Sequence, residues 1–414
     1  MRILMLTERF PPEVRASGHL FHELAVGLVE RGHEVAAVTR MPSDYVPSGQ
    51  RGDQRVRPRA REQLDAVDVI RVKSFSALSR APVIRAIDHL ALGMTFALAA
   101  RRWRTADIVL IYSPPLPLAM AGYFYKLWIG APYVLNLHDF YPQTAIDLGL
   151  LKNRVAITMA ERLEKVCYRS AAHIIVPAPR SQEILVKRKG LDVKKVSLIP
   201  NWVDVDRILP APRENGFRRV HGLSGHFVIS YAGVMGFAQD LTSVLECASM
   251  LEHKADIVFL LVGEGVYKDK WEQIASGLRN VRFLPMQSKE EYFELLRASD
   301  VCLVPLTKTL KSPAIPGKIQ SIMAVSRPIV AIVDPMGDAA DLVARSEAGL
   351  IVPPERPDEL MQVILRLYDD REMRERFGTN GRAYAERHFS FRRAIASYEG
   401  ILEEVLRENG SLSN

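Results

Sequence analysis

Short runs of unbroken apolar residues, each followed by a helix-forming stretch, recur along this chain and leave few folds open to it. In the first half the runs are RILMLT (2–7), EVAAVT (34–39), VDVIRV (67–72), DIVLIY (107–112), YVLNLH (133–138), HIIVPA (173–178) and VSLIP (196–200). A strand wetted on one side alternates apolar and polar residues. Continuous apolar strands instead belong to a parallel sheet covered by helices on both faces. The stretches between them supply those helices, as in HLFHELAVGLVERG (19–32), which stops on Gly32, where a helix end favours glycine. PNWVDVDRILPAPRENG (200–216) breaks the pattern and reads as an interdomain linker. The alternation then restarts with FVISYAG (227–233), DIVFLLVGEG (256–265), VRFLP (281–285), DVCLVPL (300–306), PIVAIV (328–333) and GLIVPP (349–354). The expectation is an α/β protein of two doubly wound, Rossmann-like parallel-sheet domains, with a cleft where their strand C-termini face each other. The domains are predicted at 1–203 and 204–388, followed by a tail helix within 389–414 that carries Phe391 and Tyr398.

A chain of 414 residues that is 48% hydrophobic can fill two such cores. Its three cysteines, Cys167, Cys247 and Cys302, lie in apolar patterns without metal spacing. That argues against a disulfide framework and fits a reducing cytoplasm. The chain as given opens on a strand pattern, and no secretory leader is expected. The most apolar window, Pro114 to Leu137, carries one charge, Lys126, and contains PPLP, Gly130 and Pro132. It reads as turn, helix, turn and strand, and not as a membrane span. Charge is uneven: residues 1–200 hold 29 Lys and Arg against 18 Asp and Glu, whereas the remainder holds 26 against 30. A basic half can face nucleic acid, anionic lipid or a phosphorylated substrate.

The residues that can carry chemistry sit where strands give way to helices. In YAGVMGFAQD (231–240), Gly233 and Gly236 let backbone approach a phosphate, the following helix offers N–H groups, and Gln239 adds a neutral donor. In AIPGKIQSIM (314–323), Pro316 and Gly317 open a helix whose first turn holds Lys318. A cation there is disfavoured unless an anion is bound, so Lys318 either shares a diphosphate held by both elements or snorkels to the surface. In EVRASGHLFHEL (13–24), Gly18 is expected in the loop before a helix, able to close on a phosphate or sugar. NLHDFYPQ (136–143) ends a buried strand with His138 and Asp139, where open α/β sheets place their ligands. Asp139 can accept from a sugar hydroxyl or cap a helix; His138 can orient or donate, or be a structural histidine. HExxH, GxSxG, GxGxxG and the phosphate-loop lysine motif are absent, which points away from metalloproteases, serine hydrolases, dinucleotide enzymes and P-loop NTPases.

Taken in order, LTERFPPE, SGHLFHELAVGLVERGHEV, SPPLPLAMAGY, GAPYVLNLHDFYPQTAIDLGLLKN, PNWVD, YAGVMGFAQDL, LLVGEG, VRFLP, ASDVCLVPL and IPGKIQSIMAVSRPIV make the whole chain resemble the retaining GT-B glycosyltransferases of family 4. The resemblance is strongest to the branch that builds lipopolysaccharide O-antigen and colanic-acid-type exopolysaccharide. It implies a UDP- or GDP-sugar donor on the C-terminal domain, no metal and no further cofactor. It places a saccharide or polyprenyl-diphosphate-linked acceptor on the N-terminal domain and implies no nucleic-acid partner. The donor residues it implies are Gly18, Gly233, Gly236, Gln239, Gly263, Pro285, Gly317, Lys318 and Ser321. His138 and Asp139 match the acceptor-side strand end, and with Lys318 they form the expected catalytic set. The tail helix is implied to cross back onto the N-terminal domain. Many relatives carry two glutamates eight positions apart, where this chain has Pro313 and Ser321, so its ribose contact is open. The same build admits two alternatives, a nucleotide-sugar epimerase and a non-catalytic nucleotide-sugar-binding protein. A polyprenyl acceptor also implies a cytoplasmic protein peripheral to the inner face of the membrane. The helix pattern RAIDHLALGMTFALAARRWRT (85–105), ending in Arg101, Arg102 and Arg104, suits either an anionic bilayer surface or an ordinary core-facing helix with a basic end.

Overall fold

The computed structural model describes residues 1–12, 16–42, 61–73, 82–310, 313 and 315–410, with backbone alone at 16, 17 and 82–90. Residues 43–60 and 74–81 of the basic half therefore lie outside the described residues, as does Ala314 beside the Lys318 helix. Two compact units form: Met1–Pro200 with Arg392–Asn414, and Asn201–Phe391.

The first unit holds β1 (Arg2–Leu6), β2 (Glu34–Arg40), β3 (Arg61–Leu64), β4 (Val67–Val72), β5 (Ile108–Ser113), β6 (Tyr133–Leu137), β7 (His173–Val176) and β8 (Val196–Leu198). They form one sheet in the order β3-β4-β2-β1-β5-β6-β7-β8, parallel except for β3 against β4. The second unit holds β9 (Phe227–Ala232), β10 (Ile257–Val262), β11 (Val281–Leu284), β12 (Val301–Pro305), β13 (Ile329–Ile332) and β14 (Gly349–Val352). Their order is β11-β10-β9-β12-β13-β14, parallel throughout.

Side chains of a strand alternate between faces, and here both faces are apolar. Val228, Val258, Leu260, Cys302 and Val304 fill one core of the second unit; Ile229, Phe259, Leu261, Val301 and Leu303 fill the other. That two-sided burial produced the unbroken apolar runs, and every run read as a strand is one. The exception to the reading is β3, REQL, which the sequence did not signal. It is a half-exposed edge strand joined to β4 through Asp65 and Ala66, both at positive φ, a hairpin turn rather than an apolar run.

Strand order reverses between β1 and β5 in one sheet and between β9 and β12 in the other. The connections leave toward opposite sides at these points and open a crevice beyond the strand C-termini. The loops after β9 and β12 therefore converge, and so do those after β1 and β5.

The proline-rich segment 201–216 is no free linker. Arg382 donates to the carbonyls of Val205 and Ile208 at 2.8 and 2.6 Å, and Arg327 donates to that of Ala211 at 2.7 Å. Arg213 and buried Arg218 both pair with buried Asp300. Prolines here straighten a strap whose carbonyls are claimed by arginines of the second unit. The last helix, Phe391–Glu408, belongs to the first unit: Tyr398 bonds Asn136 of β6, and Glu399 lies 2.8 Å from His33 Nε2 and pairs with Arg31.

Candidate functional site

In the second unit the ends of β9 and β10 touch through their glycines. Gly233 has φ +151° and Gly263 φ +153°, and a β-carbon on Gly263 would lie 1.8 Å from the Gly233 carbonyl oxygen. Gly265, at φ +158°, would likewise meet the Met235 carbonyl at 2.1 Å. Only glycine combines this backbone with this closeness. Gly233 N–H bonds the Val262 carbonyl, and Met235 N–H that of Glu264, each at 2.9 Å, so the two loops brace each other.

Lys318 reaches this brace from the loop after β12. A β-carbon on Gly233 would stand 2.9 Å from Lys318 Nζ and 3.4 Å from Tyr231 Oη. The ammonium lies 3.9 Å from the centroid of the Tyr231 ring, a cation–π contact. The residue as a whole is half-buried, yet burial of its amine end pulls its pKa down to about 7. Among the described residues no carboxylate offsets that cost. A lysine placed this way is a cation awaiting an anion.

The remaining predicted donor residues divide. Gly317 is the exposed N-cap of the helix Lys318–Ala324. Ser321, one turn on, bonds the buried Tyr292 hydroxyl, so its own hydroxyl is already engaged. Gln239 Oε1 accepts from Gly236 N–H at 3.2 Å, which holds the loop closed. Pro285 is exposed beyond β11, three strands from β12, with its carbonyl bonded to Gln287. The expectation of open N–H groups on the helix after Gly236 is corrected. Asp240 takes the Thr242 and Ser243 N–H groups at 3.1 and 3.5 Å and the Ser243 hydroxyl at 2.7 Å. Its carboxylate fills the place an anion would take. Tyr231, which no motif singled out, and Gly265 complete the constellation.

In the first unit, His138 follows β6 directly, its N–H bonded to the Ser113 carbonyl at 2.8 Å and its ring 4.6 Å from that of Tyr112. Desolvation lowers its pKa to about 4, so it is neutral at pH 7. Asp139 accepts from the hydroxyl of Thr144 in the short helix Gln143–Asp147, whose N-cap is Pro142; burial raises the Asp139 pKa against that bond. Asn136 and Ser113 are buried below them. Gly18 is corrected as well: it lies inside the helix Ala16–Glu30, not in the loop before it. A β-carbon there would meet Arg9 and Phe10 backbone at 3.5 Å, an ordinary contact, so the space alone does not demand a glycine. A hollow of about 420 Å³ lined by His33, Glu34, Gln63, Asp68 and Trp103 contains none of these residues. Among the described residues no three His, Cys, Asp or Glu side chains gather as a metal site requires.

Comparison with known proteins matches residues 17–202 to a "Glycosyl transferase 4-like domain" and residues 226–370 to "Glycosyl transferases group 1". The putative colanic acid biosynthesis glycosyl transferase WcaI of Escherichia coli K12 is 26% identical over 400 residues, covering 94% of this chain and 96% of its own. The probable glycosyltransferase WbjE of Pseudomonas aeruginosa is 28% identical over 270 residues, 64% of this chain and 66% of its own. HepE of Anabaena, solved in complex with UDP-glucose, superposes with a TM-score of 0.72 at 17% identity, covering 98% of this chain and all of that one. These matches do not favour the epimerase alternative. Two doubly wound parallel-sheet units, matched in order by a glycosyl transferase 4-like and a group 1 model, establish that the chain belongs to the GT-B glycosyltransferases of family 4.

Proposed function

We propose that the protein moves a sugar, with retained anomeric configuration and without a metal, from a UDP- or GDP-sugar to a hydroxyl of a saccharide or polyprenyl-diphosphate-linked acceptor in surface-polysaccharide synthesis. The observation that carries this reading is the Lys318 ammonium, desolvated between the Tyr231 ring and the bare backbone of Gly233. A diphosphate seated there receives the missing counter-charge. When the bond from the anomeric carbon to the diphosphate oxygen breaks, negative charge grows on the oxygens that Lys318 faces. The acceptor oxygen bonds the anomeric carbon from the same side, and its proton passes to the departing diphosphate. No covalent carboxylate nucleophile enters this scheme, so the protein supplies position and charge. HepE, named with UDP-glucose, and WcaI, named for colanic acid, support the donor class and the pathway.

On the first unit, neutral His138 orients the acceptor hydroxyl, and Asp139, tied to Thr144, holds the strand end that presents it. The test is mass spectrometry of purified protein incubated with nucleotide sugars and polyprenyl-linked acceptors. Nucleotide release that depends on acceptor supports transfer. Acceptor-free isomer formation would establish the epimerase reading, and neither product the binding-only reading.

We further propose peripheral attachment to the inner face of the cytoplasmic membrane. Among the described residues no helix is long and apolar enough to cross a membrane. Met94, Leu98, Leu127 and Trp128 are exposed on the first unit, and the Arg101 guanidinium lies 5.2 Å over the Trp128 ring. Arg102 and Arg104 are exposed beside it. Apolar side chains rimmed by arginines suit an anionic interface. Sedimentation with vesicles is expected only when they contain anionic lipid. Arg102→Ala should weaken it about fivefold, roughly the worth of one basic residue near the surface. Equal binding to neutral vesicles would dismiss the patch.

A further inference from the structure

We propose that Tyr231 is a positioning residue of the donor site: its ring face seats the Lys318 ammonium while its hydroxyl holds the Val234 carbonyl, so one buried side chain sets both elements that face the anion. This rests on the donor-site reading above. Tyr231 is fully buried on β9, two residues before Gly233. Its hydroxyl donates to the Val234 carbonyl oxygen at 2.6 Å. Its ring centroid lies 3.9 Å from Lys318 Nζ. One side chain thus joins the loop after β9 to the lysine delivered by the loop after β12, across the point where strand order reverses.

Each half of the contact has its own consequence. A carbonyl oxygen left free to turn toward the anion would repel it, and the hydroxyl bond holds that of Val234 in place. The ring gives a desolvated ammonium its one electrostatic partner on the described protein. Buried groups around it are neutral at working pH: burial raises both Tyr231 and the nearby Tyr292, whose hydroxyl is bonded to Ser321. Glu264, at the neighbouring strand end, is paired with Lys268 at 2.7 Å. The titration of Lys318 therefore reports on the ring.

Two substitutions separate the halves. Tyr231→Phe keeps the ring and deletes the hydrogen bond; Tyr231→Leu deletes both. The Lys318 midpoint is read in ligand-free protein from pH-dependent amine acetylation followed by mass spectrometry, and UDP and GDP binding by calorimetry. Tyr231→Phe should leave the midpoint in place and weaken nucleotide binding about fivefold, as for one lost hydrogen bond. Tyr231→Leu should lower the midpoint by roughly half to one pH unit, the worth of a partly desolvated cation–π contact. Its binding should suffer more at pH 8 than at pH 6. An unmoved midpoint in Tyr231→Leu, or unchanged binding in Tyr231→Phe, overturns the proposal. If Tyr231→Leu does not fold, Tyr231→Phe alone decides, since weaker binding with an unmoved midpoint is the required pair. A wild-type protein that binds neither nucleotide would overturn the donor-site reading instead, and the ligand-free midpoint would still judge the ring.

Discussion

Lys318→Ala is expected to weaken donor binding and turnover by about 10- to 150-fold, the range for losing one charge-assisted contact in a desolvated site. The pH dependence should change with it. In the ligand-free protein the Lys318 pKa is lowered to about 7 by burial, so the ammonium form prevails below pH 7 and the neutral amine above it. A bound diphosphate favours the ammonium and raises that pKa. Donor affinity in the wild type should therefore be full below pH 7 and decline by up to about tenfold per unit as pH rises above it. The alanine variant should show weak binding with no slope across that window. Calorimetry with a nucleotide sugar from pH 6 to pH 9 measures both effects. Wild-type affinity in the variant would remove Lys318 from the site.

Arg218→Ala should cost the second unit about 3–5 kcal/mol, because it strips a partner from a buried charge. Arg218 Nη2 bonds Asp300, its Nε donates to the Ala298 carbonyl at 2.7 Å, and its Nη1 to the His226 carbonyl at 2.9 Å. Asp300 in turn accepts the Val228 N–H at 2.9 Å, tying the starts of β9 and β12 together. Removing Arg218 leaves Asp300 with the Val228 N–H and the half-exposed Arg213. Because the chain has two units, the loss should appear in one of two thermal transitions while the other stays in place. A shift of both, or of neither, would show that the network does not act within the second unit. A buried cluster at the starts of β9 and β12, the opposite strand ends from Lys318, should leave nucleotide affinity of the folded fraction near the wild-type value.

What could be read from the chain follows from what local sequence encodes. Unbroken apolar runs such as DIVLIY exist because both sheet faces are buried, so the thirteen strands other than β3 were legible. REQL was not, because a half-exposed edge strand has no apolar signature and its pairing with β4 depends on a two-residue turn. The glycines of YAGVMG pointed correctly to a strand end, whereas those of VGEG were counted into a strand that stops at Val262. That Gly263 presses on the Gly233 carbonyl is a fact of two adjacent strands, invisible to either motif. Asp240 read as part of a phosphate-facing loop, yet its carboxylate caps the next helix itself. Gly18 read as loop and lies in a helix, since a single glycine costs a fifteen-residue helix only about 1 kcal/mol. Ser321 read as a donor contact, but the residue that engages its hydroxyl, Tyr292, is 29 positions earlier in the chain and close only in space.

By itself the sequence determined the class: two parallel α/β sheets with glycine-rich strand ends and a lone cation at a helix start, because periodicity and turn chemistry are local properties. Tertiary structure alone decided which groups meet. It set Lys318 on the Tyr231 ring beside Gly233, strapped 201–216 to the second unit, and joined the last helix to the first. The physical reason is strand order: β9 and β12 are distant along the chain but adjacent in the sheet, and a desolvated charge takes its character from neighbours that only the sheet brings close.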